Sequence, residues 1–272
     1  MSVHQQTRRR TVRHLREMRG RGEKIVCLTA YDASFAALED AAGVDLILVG
    51  DSLGMVIQGH DTTLPVTVDD VVYHCRAVAR SCRQALLMAD MPFLSYTTPA
   101  QALANAGRLM QEGGVQAVKL EGDAEQAEIV AALAGHGIPV CAHLGLRPQS
   151  VNRIGGYRVQ GRDAHAAQAM IKDARAVEAA GADLLLLECV PVTLAAEIRA
   201  AVEIPVIGIG AGPHCDGQIL VLHDILGVAP DRSPRFAKNF LAGCDSVQAA
   251  IGAYCQAVRD GSFPAPEHCF QD

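Results

Sequence analysis

The chain has 272 residues, so its length allows either one barrel of typical size or two small domains. Half of the residues are hydrophobic and 20% are charged, which argues against intrinsic disorder. The net charge of −6 gives no electrostatic footprint for nucleic acid, and no apolar run reaches the ~18 residues needed to span a bilayer. We therefore predict no nucleic-acid partner and no membrane partner.

The N-terminus is basic rather than hydrophobic. Arg8–Arg10 form a short patch that we interpret as a solvated arm, and no secretory signal is predicted. Nine cysteines are scattered without a C-x-x-C pair, and Cys27, Cys141 and Cys189 lie within apolar runs. Such cysteines are typical of reduced packing positions, so we expect a cytoplasmic protein.

A short helix is predicted over Thr11–Gly20, with Thr11 as its cap and Gly20 as its stop. Eight runs rich in Val, Ile and Leu come next, each ending in polar or glycine residues and each followed by a helical stretch. The predicted strands are Ile25–Asp32, Asp45–Ser52, Ala85–Pro92, Ala117–Gly122, Pro139–Leu146, Asp183–Val190, Pro205–Gly212 and Gln218–Asp224.

Several helix starts are marked clearly. Thr67 and Asp70 resemble a capping box, and Thr98 precedes a first-turn Pro99 with Gln101 as box partner. Two further helical patterns cover Asp163–Ala180 and Ser246–Arg259, the second of which either finishes the repeat or lies outside it.

Eight strand-and-helix units predict an α/β fold, a single (β/α)₈ TIM barrel over residues 1–272. Residues 1–24 form an N-terminal arm and an extra helix, which we expect to flank or plug the barrel. A doubly wound open sheet is the alternative.

Two connections exceed the usual few residues. Leu53–Val66 follows the second strand and Arg147–Gly161 follows the fifth, and both are rich in glycine and polar groups. Because connections after barrel strands lie at the catalytic face, we predict that both act as lids.

Polar residues collect where the strands end. In a parallel barrel these ends share one mouth, and the residues there are Asp51, Ser52, Asp90, Lys119, Glu121, His143 and Glu188. Asp32 and Asp123 are instead interpreted as helix caps. Asp51 has no predicted helix to cap for some fifteen residues, and neither Asp90 nor Glu188 suits a cap. The carboxylates of these three residues therefore need a role other than helix capping.

Strand alternation places Ala117, Lys119 and Glu121 on one face of the fourth strand, toward the barrel interior. Several carboxylates around one lysine repel each other unless a cation lies among them. A site with a small number of hard oxygen ligands favours Mg²⁺. A zinc site on Cys141 and His143 is the weaker alternative.

The glycine-rich run Ile207–Gly212 fits a phosphate, close packing or a flat ligand equally well.

This set of groups suggests a reaction class. A 2-oxo acid chelates Mg²⁺ through its carboxylate and keto oxygen, and the cation then stabilises an enolate formed by proton removal. Glu188 lies across the mouth from Asp51 and suits the base, while Lys119 would neutralise charge on the acid or enolate.

Ten ordered blocks closely resemble the 3-methyl-2-oxobutanoate hydroxymethyltransferase (ketopantoate hydroxymethyltransferase) family. They are Leu28–Asp32, Val49–Met55, Gln58–Asp61, Leu64–Thr67, Asp90–Phe93, Val118–Glu121, His143–Leu146, Pro148–Asn152, Leu187–Pro191 and Ile207–Gly212. The resemblance implies a (β/α)₈ barrel that transfers a one-carbon unit from 5,10-methylenetetrahydrofolate to 3-methyl-2-oxobutanoate. The product would be 2-dehydropantoate, on the route to pantothenate and coenzyme A.

The resemblance also implies residue roles. Asp51 and Asp90 match Mg²⁺ ligands, and Glu121 matches an acid associated with that metal. Asp51, Ser52, Asp90 and Lys119 match positions that hold the 2-oxo acid, Glu188 matches the proton acceptor, and His143 is expected to touch substrate. Family members are homo-oligomers, often decamers. The stretch Ala229–Pro234 departs from the family pattern and is expected to affect an oligomer contact or the folate rim.

Two other functions compete with this interpretation. One is a metal-dependent carbon–carbon lyase or mutase of the phosphoenolpyruvate mutase and isocitrate lyase group, which would need no folate. The other is a non-catalytic barrel that binds a small ligand or only assembles.

Overall fold

A computed structural model describes residues 9–228 and 233–271, so Arg8 and most of Ala229–Pro234 lie outside the described residues. The strands are β1 Ile25–Thr29, β2 Leu46–Val49, β3 Leu86–Asp90, β4 Ala117–Glu121, β5 Val140–Gly145, β6 Leu184–Glu188, β7 Val206–Ile209 and β8 Gly217–Leu220. The helices are α1 Val12–Gly20, α2 Ala33–Ala42, α3 Leu53–Val56, α4 Val68–Ser81, α5 Pro99–Gln111, α6 Ala127–Gly135, α7 Val151–Ile154, α8 Ala164–Ala179, α9 Val192–Ala201, α10 Leu222–Ile225 and α11 Val247–Arg259.

All eight strands pair in parallel and in chain order, and β8 closes onto β1. This confirms the (β/α)₈ barrel, and the doubly wound open sheet is wrong. The observed strands are shorter than predicted because their polar ends leave the hydrogen-bonded ladder to form the mouth. The largest error is at the eighth strand, predicted over Gln218–Asp224, because residues 222–224 belong to α10.

We predicted a helix after every strand, and this prediction is wrong at one place. The chain returns from Ile209 at the end of β7 to Gly217 at the start of β8 without a helix. The return is anchored by Lys24, whose ammonium donates to the carbonyls of Pro213 and Cys215. The strand-like apolar runs therefore predicted the sheet correctly, but the spacing between the last two was too short for a helical crossover.

The late helix α11 completes the ring, because it packs against α2 and β1. Tyr254 on α11 is fully buried, and its hydroxyl lies 2.8 Å from the carbonyl oxygen of Cys27 and 3.0 Å from that of Gln218. These carbonyls belong to β1 and β8. One side chain thus links the two strands at which the barrel closes.

Helix α1 plugs the barrel, which is one of its two predicted positions. Leu15 is fully buried in a cluster with inward-facing residues of the strands, including Ile25 and Cys27 at the beginning of β1. A second, larger cluster lies between the sheet and the outer helices. The N-terminal end of the barrel is therefore closed by apolar packing, and polar chemistry is left to the other end.

The predicted caps form. Thr67 and Asp70 make a reciprocal capping box at α4, and Asp32 accepts hydrogen bonds from the first turn of α2. Asp123 accepts from Glu125 at the start of a short 3₁₀ turn. Thr98 caps α5, although the Gln101 side chain bonds the backbone N–H of Thr97 rather than that of Thr98.

Within the described ranges, no helix is both long and apolar enough to cross a bilayer. All nine cysteines are unpaired, and eight of them are buried.

Candidate functional site

A cavity of about 750 Å³ opens at the C-terminal mouth of the barrel. It is lined by all of the predicted strand-end residues, namely Asp51, Ser52, Asp90, Lys119, Glu121, His143 and Glu188. The structure therefore brings the whole predicted set together. The volume lies within the ~300–1,000 Å³ usual for small-molecule sites.

Strand register explains why charges meet inside the barrel. Lys119 on β4 is opposite Asp90 on β3, and Glu121 is opposite His143 on β5. All four side chains point to the interior and are buried. Burial of so many polar groups is costly unless they satisfy one another or a ligand.

Lys119 and Asp90 form a buried ion pair, with 2.8 Å between the ammonium nitrogen and Oδ1 of the carboxylate. Burial disfavours the charged lysine, but Asp90, Asp51 and Glu121 outweigh burial and raise the pKa of Lys119. The other Asp90 oxygen accepts the backbone N–H of Asp51 at 2.9 Å. Burial, then the charge of Asp90, raises the pKa of Asp51 to about 7.

Gln149 is a site residue that sequence reasoning missed. Its side-chain amide donates to Asp51 Oδ2 at 2.8 Å, and its backbone N–H donates to Glu121 Oε2 at 3.0 Å. The Tyr96 hydroxyl donates to its amide oxygen at 2.6 Å. From the loop after β5, Gln149 thereby bridges the carboxylate that follows β2 and the one that ends β4. Its place in the block Pro148–Asn152 was the available signal.

His143 lies between the lysine and the candidate base. Its Nδ1 is 3.3 Å from the Lys119 ammonium, and its Nε2 is 3.2 Å from Glu188 Oε2. Burial and then the charge of Lys119 lower the pKa of His143 well below its usual value, so the ring is neutral. Since an ammonium only donates, Nδ1 accepts, and the ring proton belongs on Nε2, facing Glu188.

Glu188 ends β6 with its side chain 14% exposed. Burial raises its pKa to about 8, against the opposing charge of Lys119. Its backbone carbonyl accepts the N–H of Leu146, and a Cβ at Gly145 would lie 2.2 Å from that oxygen. The following residue, Cys189, has φ of 49°, an uncommon value outside glycine. The backbone around the carboxylate is thus tightly fixed.

The hydroxyls of Ser52 and Tyr31 share a 2.8 Å hydrogen bond, in which either one can donate. Tyr31 lies just after β1. The short helix α3 begins directly after Ser52, so the premise that no helix starts near Asp51 is wrong. The conclusion survives on other grounds, because the N-cap residue of α3 is Ser52 and the Asp51 carboxylate accepts from Gln149.

The donor set suits Mg²⁺ better than Zn²⁺. Asp51, Asp90 and Glu121 offer hard oxygens, and Glu121 Oε1 is buried without a hydrogen-bond partner. In the described part of the chain, no three His, Cys, Asp or Glu side chains are arranged to enclose a metal ion. Mg²⁺ commonly takes one or two carboxylates and completes its shell with water and substrate. Cys141 is packed in the apolar interior, as expected from its non-metal interpretation.

Both predicted lid loops reach the cavity. Met55 and Tyr157 line it, one from each loop, and the Tyr157 hydroxyl lies 3.6 Å from the Met55 sulfur. Sequence reasoning missed a third contributor, the segment near the C-terminus. This segment covers residues 233–271 and supplies Phe236 and Phe270 to the lining. A Cβ at Gly210 would lie within about 3.2 Å of both rings, so the glycine-rich seventh strand serves close packing here.

Comparison with known proteins identifies the family of this chain. Residues 9–266 match the family model described as ketopantoate hydroxymethyltransferase. A 3-methyl-2-oxobutanoate hydroxymethyltransferase of Alkalilimnicola ehrlichii is 65% identical over 97% of this chain and 96% of the relative. Proteins of the same name from Halorhodospira halophila and Nitrosococcus oceani are 62% and 58% identical, over 96% and 95% of this chain and 94% and 98% of theirs.

The solved structures that share this fold are more distant in sequence. A phosphonopyruvate hydrolase superposes with a TM-score of 0.59 at 17% identity, covering 80% of this chain and 83% of that protein. A 2,3-dimethylmalate lyase, described as a member of the PEP mutase/isocitrate lyase superfamily, gives 0.60 at 17% identity over 80% and 82%. These levels of identity support a shared barrel alone. From the family match and the close relatives, this chain is an enzyme that belongs to the ketopantoate hydroxymethyltransferase family.

Proposed function

We propose that this hydroxymethyltransferase uses 5,10-methylenetetrahydrofolate and water to convert 3-methyl-2-oxobutanoate to 2-dehydropantoate, releasing tetrahydrofolate. The methylene carbon bonds to C3 of the oxo acid, and water supplies the oxygen of the new hydroxymethyl group. This step lies on the route to pantothenate and coenzyme A. The observation that carries the proposal is a buried, high-pKa carboxylate, Glu188, that shares one cavity with the Lys119–Asp90 ion pair.

The 2-oxo acid is proposed to lie between Glu188 and the cluster of Asp51, Asp90 and Lys119. Lys119 would face the substrate carboxylate, since the ammonium is the cationic side chain within this acidic cluster. Ser52, fixed by Tyr31, is placed to bond a substrate oxygen. His143 is buried between Lys119 and Glu188 and would contact the substrate from the β5 side.

Glu188 is the proposed base. In its ionised form it takes the proton from C3, and the electron pair of that C–H bond moves toward the keto oxygen to give the enolate. Lys119 stabilises the negative charge that develops. The C3 carbon then attacks the one-carbon unit of the folate donor. Tight packing of Gly145 against the Glu188 carbonyl keeps the base in position through these steps.

Asp51 and Asp90 would hold Mg²⁺, with Glu121 as the associated acid. When bound, the cation supplies positive charge that stabilises the enolate oxygen. The residues themselves supply the orientation. Gln149 donates to Asp51 and Glu121, and Asp51 donates its backbone N–H to Asp90, so these carboxylates are aligned before any cation arrives.

The test follows consumption of 3-methyl-2-oxobutanoate with and without methylenetetrahydrofolate. Turnover to 2-dehydropantoate should require the folate donor, and equal turnover without it would favour the folate-independent lyase or mutase. The non-catalytic barrel is already excluded, because the family consists of enzymes. Asp51→Ala and Asp90→Ala should each weaken Mg²⁺ and oxo-acid binding together, as titration calorimetry would show.

We also propose a cytoplasmic homo-oligomer, with a decamer as the expected form. Nine unpaired cysteines suit a reducing compartment. Large apolar side chains exposed on one chain include Tyr73 at 71% and Leu94 at 60%, and contacts between copies would bury them. Light scattering coupled to size-exclusion chromatography measures the subunit number, and a monomer at micromolar concentration would contradict the assembly.

A further inference from the structure

The mouth of the barrel has two chemically different sides. The proposed oxo-acid side is formed by β2 to β6 and carries nearly all of its charge. The opposite side is formed by β7, β8 and the segment near the C-terminus, and its lining is mostly apolar, with Ile209, Phe236 and Phe270. The cavity of about 750 Å³ is far larger than a five-carbon oxo acid needs. The apolar side therefore has room for a second, larger ligand.

One carboxylate interrupts this apolar side. Asp224, on the short helix α10 after β8, lines the cavity and is 8% exposed. Within the described residues, its side chain makes no hydrogen bond and no ion pair, and burial alone raises its pKa to about 6. A buried carboxylate without partners is costly, and such groups are nearly always satisfied by a ligand, water or protein. Asp224 faces the cavity, so its hydrogen-bond donors come from water or from a ligand bound there.

The geometry of the ring places Asp224 across from the acidic cluster. In an eight-stranded barrel closed in chain order, β8 lies opposite β4, which carries Lys119 and Glu121. A ligand that bonds Asp224 and extends over the cavity would reach toward the oxo acid from the far side. Such an arrangement is what transfer between two substrates requires.

The chemistry of a ligand that would replace water at Asp224 can be specified. A carboxylate pairs best with two parallel N–H donors, and the 2-amino-4-oxopyrimidine edge of a reduced pterin offers an amino group and a ring N–H in that arrangement. A flat heterocycle also suits the neighbouring Phe236 and Phe270 rings. At the rim, the exposed Arg235 lies 5.7 Å from the Phe270 ring and is placed to meet an anionic tail.

We propose that Asp224 binds the 2-amino-4-oxo edge of the pterin of the folate donor, between the aromatic pair and the strand-end residues of β8. This inference rests on the proposed function, because it names the site of its co-substrate. Under this proposal, the two sides of the mouth have different roles. The β2–β6 side activates the oxo acid, and Asp224 orients the one-carbon donor.

The experiment compares wild type with Asp224→Asn in two assays. Tetrahydrofolate affinity, measured by titration calorimetry, should fall about 10- to 100-fold, the range expected for a lost charge-assisted hydrogen-bond pair. Deuterium exchange at C3 of 3-methyl-2-oxobutanoate without folate should stay within about twofold of wild type, because that half-reaction uses only the other side. Asp173→Asn, a half-buried carboxylate away from the cavity, is the matched control and should change neither value.

A tetrahydrofolate analogue without the 2-amino group tests the contact itself. It should bind wild type about 10-fold more weakly than tetrahydrofolate, and this difference should vanish in Asp224→Asn. Unchanged tetrahydrofolate affinity in Asp224→Asn, or an equal loss of C3 exchange, would overturn the inference and leave the proposed reaction intact. If wild type itself does not bind tetrahydrofolate, the proposed donor fails and the inference fails with it.

Discussion

Replacing Glu188 by Gln tests the assignment of the base most directly. The amide keeps the size of the side chain, whose Oε2 lies 3.2 Å from His143 Nε2 in the wild type. It cannot accept a proton. We therefore expect normal oxo-acid binding but a fall of about 10²–10⁴-fold in deuterium exchange at C3, the usual contribution of a positioned general base.

The structure also gives a pH dependence. Burial raises the pKa of Glu188 to about 8, so below that pH the carboxyl is protonated and cannot act as a base. About one tenth of the side chain population is ionised at pH 7 and about nine tenths at pH 9, so exchange should rise roughly tenfold over that interval in wild type. A nearby cation would move the rise to lower pH without removing it.

The assay follows loss of the C3 proton signal by NMR in D₂O, at constant ionic strength and constant Mg²⁺, without folate. Glu128→Gln, an exposed glutamate on α6, makes the same change of charge away from the cavity and should leave the rate unchanged. Exchange in Glu188→Gln within about threefold of wild type would place the base on another residue, since general bases contribute far more.

Three other predictions concern binding and stability. Lys119→Met should weaken oxo-acid binding about 10- to 100-fold by calorimetry, because it removes the cation paired with Asp90, and normal affinity would contradict the neutralising role. Leu15→Ala should lower the free energy of unfolding by about 3 kcal/mol in urea titrations, since it empties the apolar plug; a loss below about 1 kcal/mol would contradict that packing. Glu39 is fully buried and unpartnered among the described residues, and burial raises its pKa well above 4.5. The folded state therefore keeps a proton that the unfolded state loses, so this group reduces stability as pH rises above 4.5, and the gain from Glu39→Gln should be larger at pH 8 than at pH 5. Equal gains at both values would show that Glu39 titrates normally.

The site was predictable where local rules dictated it. Lys119 and Glu121 face inward because side chains alternate along a strand, and Asp51, Asp90 and Glu188 meet because parallel strands end on one face. No detail of packing was needed for either inference. Capping was equally local, because the residues that cap α4 and α5 lie within one turn of the backbone groups they bond.

Other features depended on residues that are distant in sequence. Gln149 reaches Asp51 across 98 positions, and nothing in its neighbourhood indicates which carboxylates it will meet. Phe236 and Phe270 lie far beyond Gly210 in the sequence and approach it only in the folded chain. The direct return from β7 to β8 was missed because a predicted repeat of strands and helices was extended one unit too far.

The sequence by itself determined the barrel, the inward charges of β4 and the set of groups around the mouth, since periodicity and strand polarity are local properties. Only the tertiary structure decided how those groups are paired. It set Asp90 against Lys119, and it placed His143 between that lysine and Glu188. It also left Asp224 buried without a partner among the described residues. Distances and burial arise from the packing of the whole chain, and they set the pKa values on which the chemistry depends.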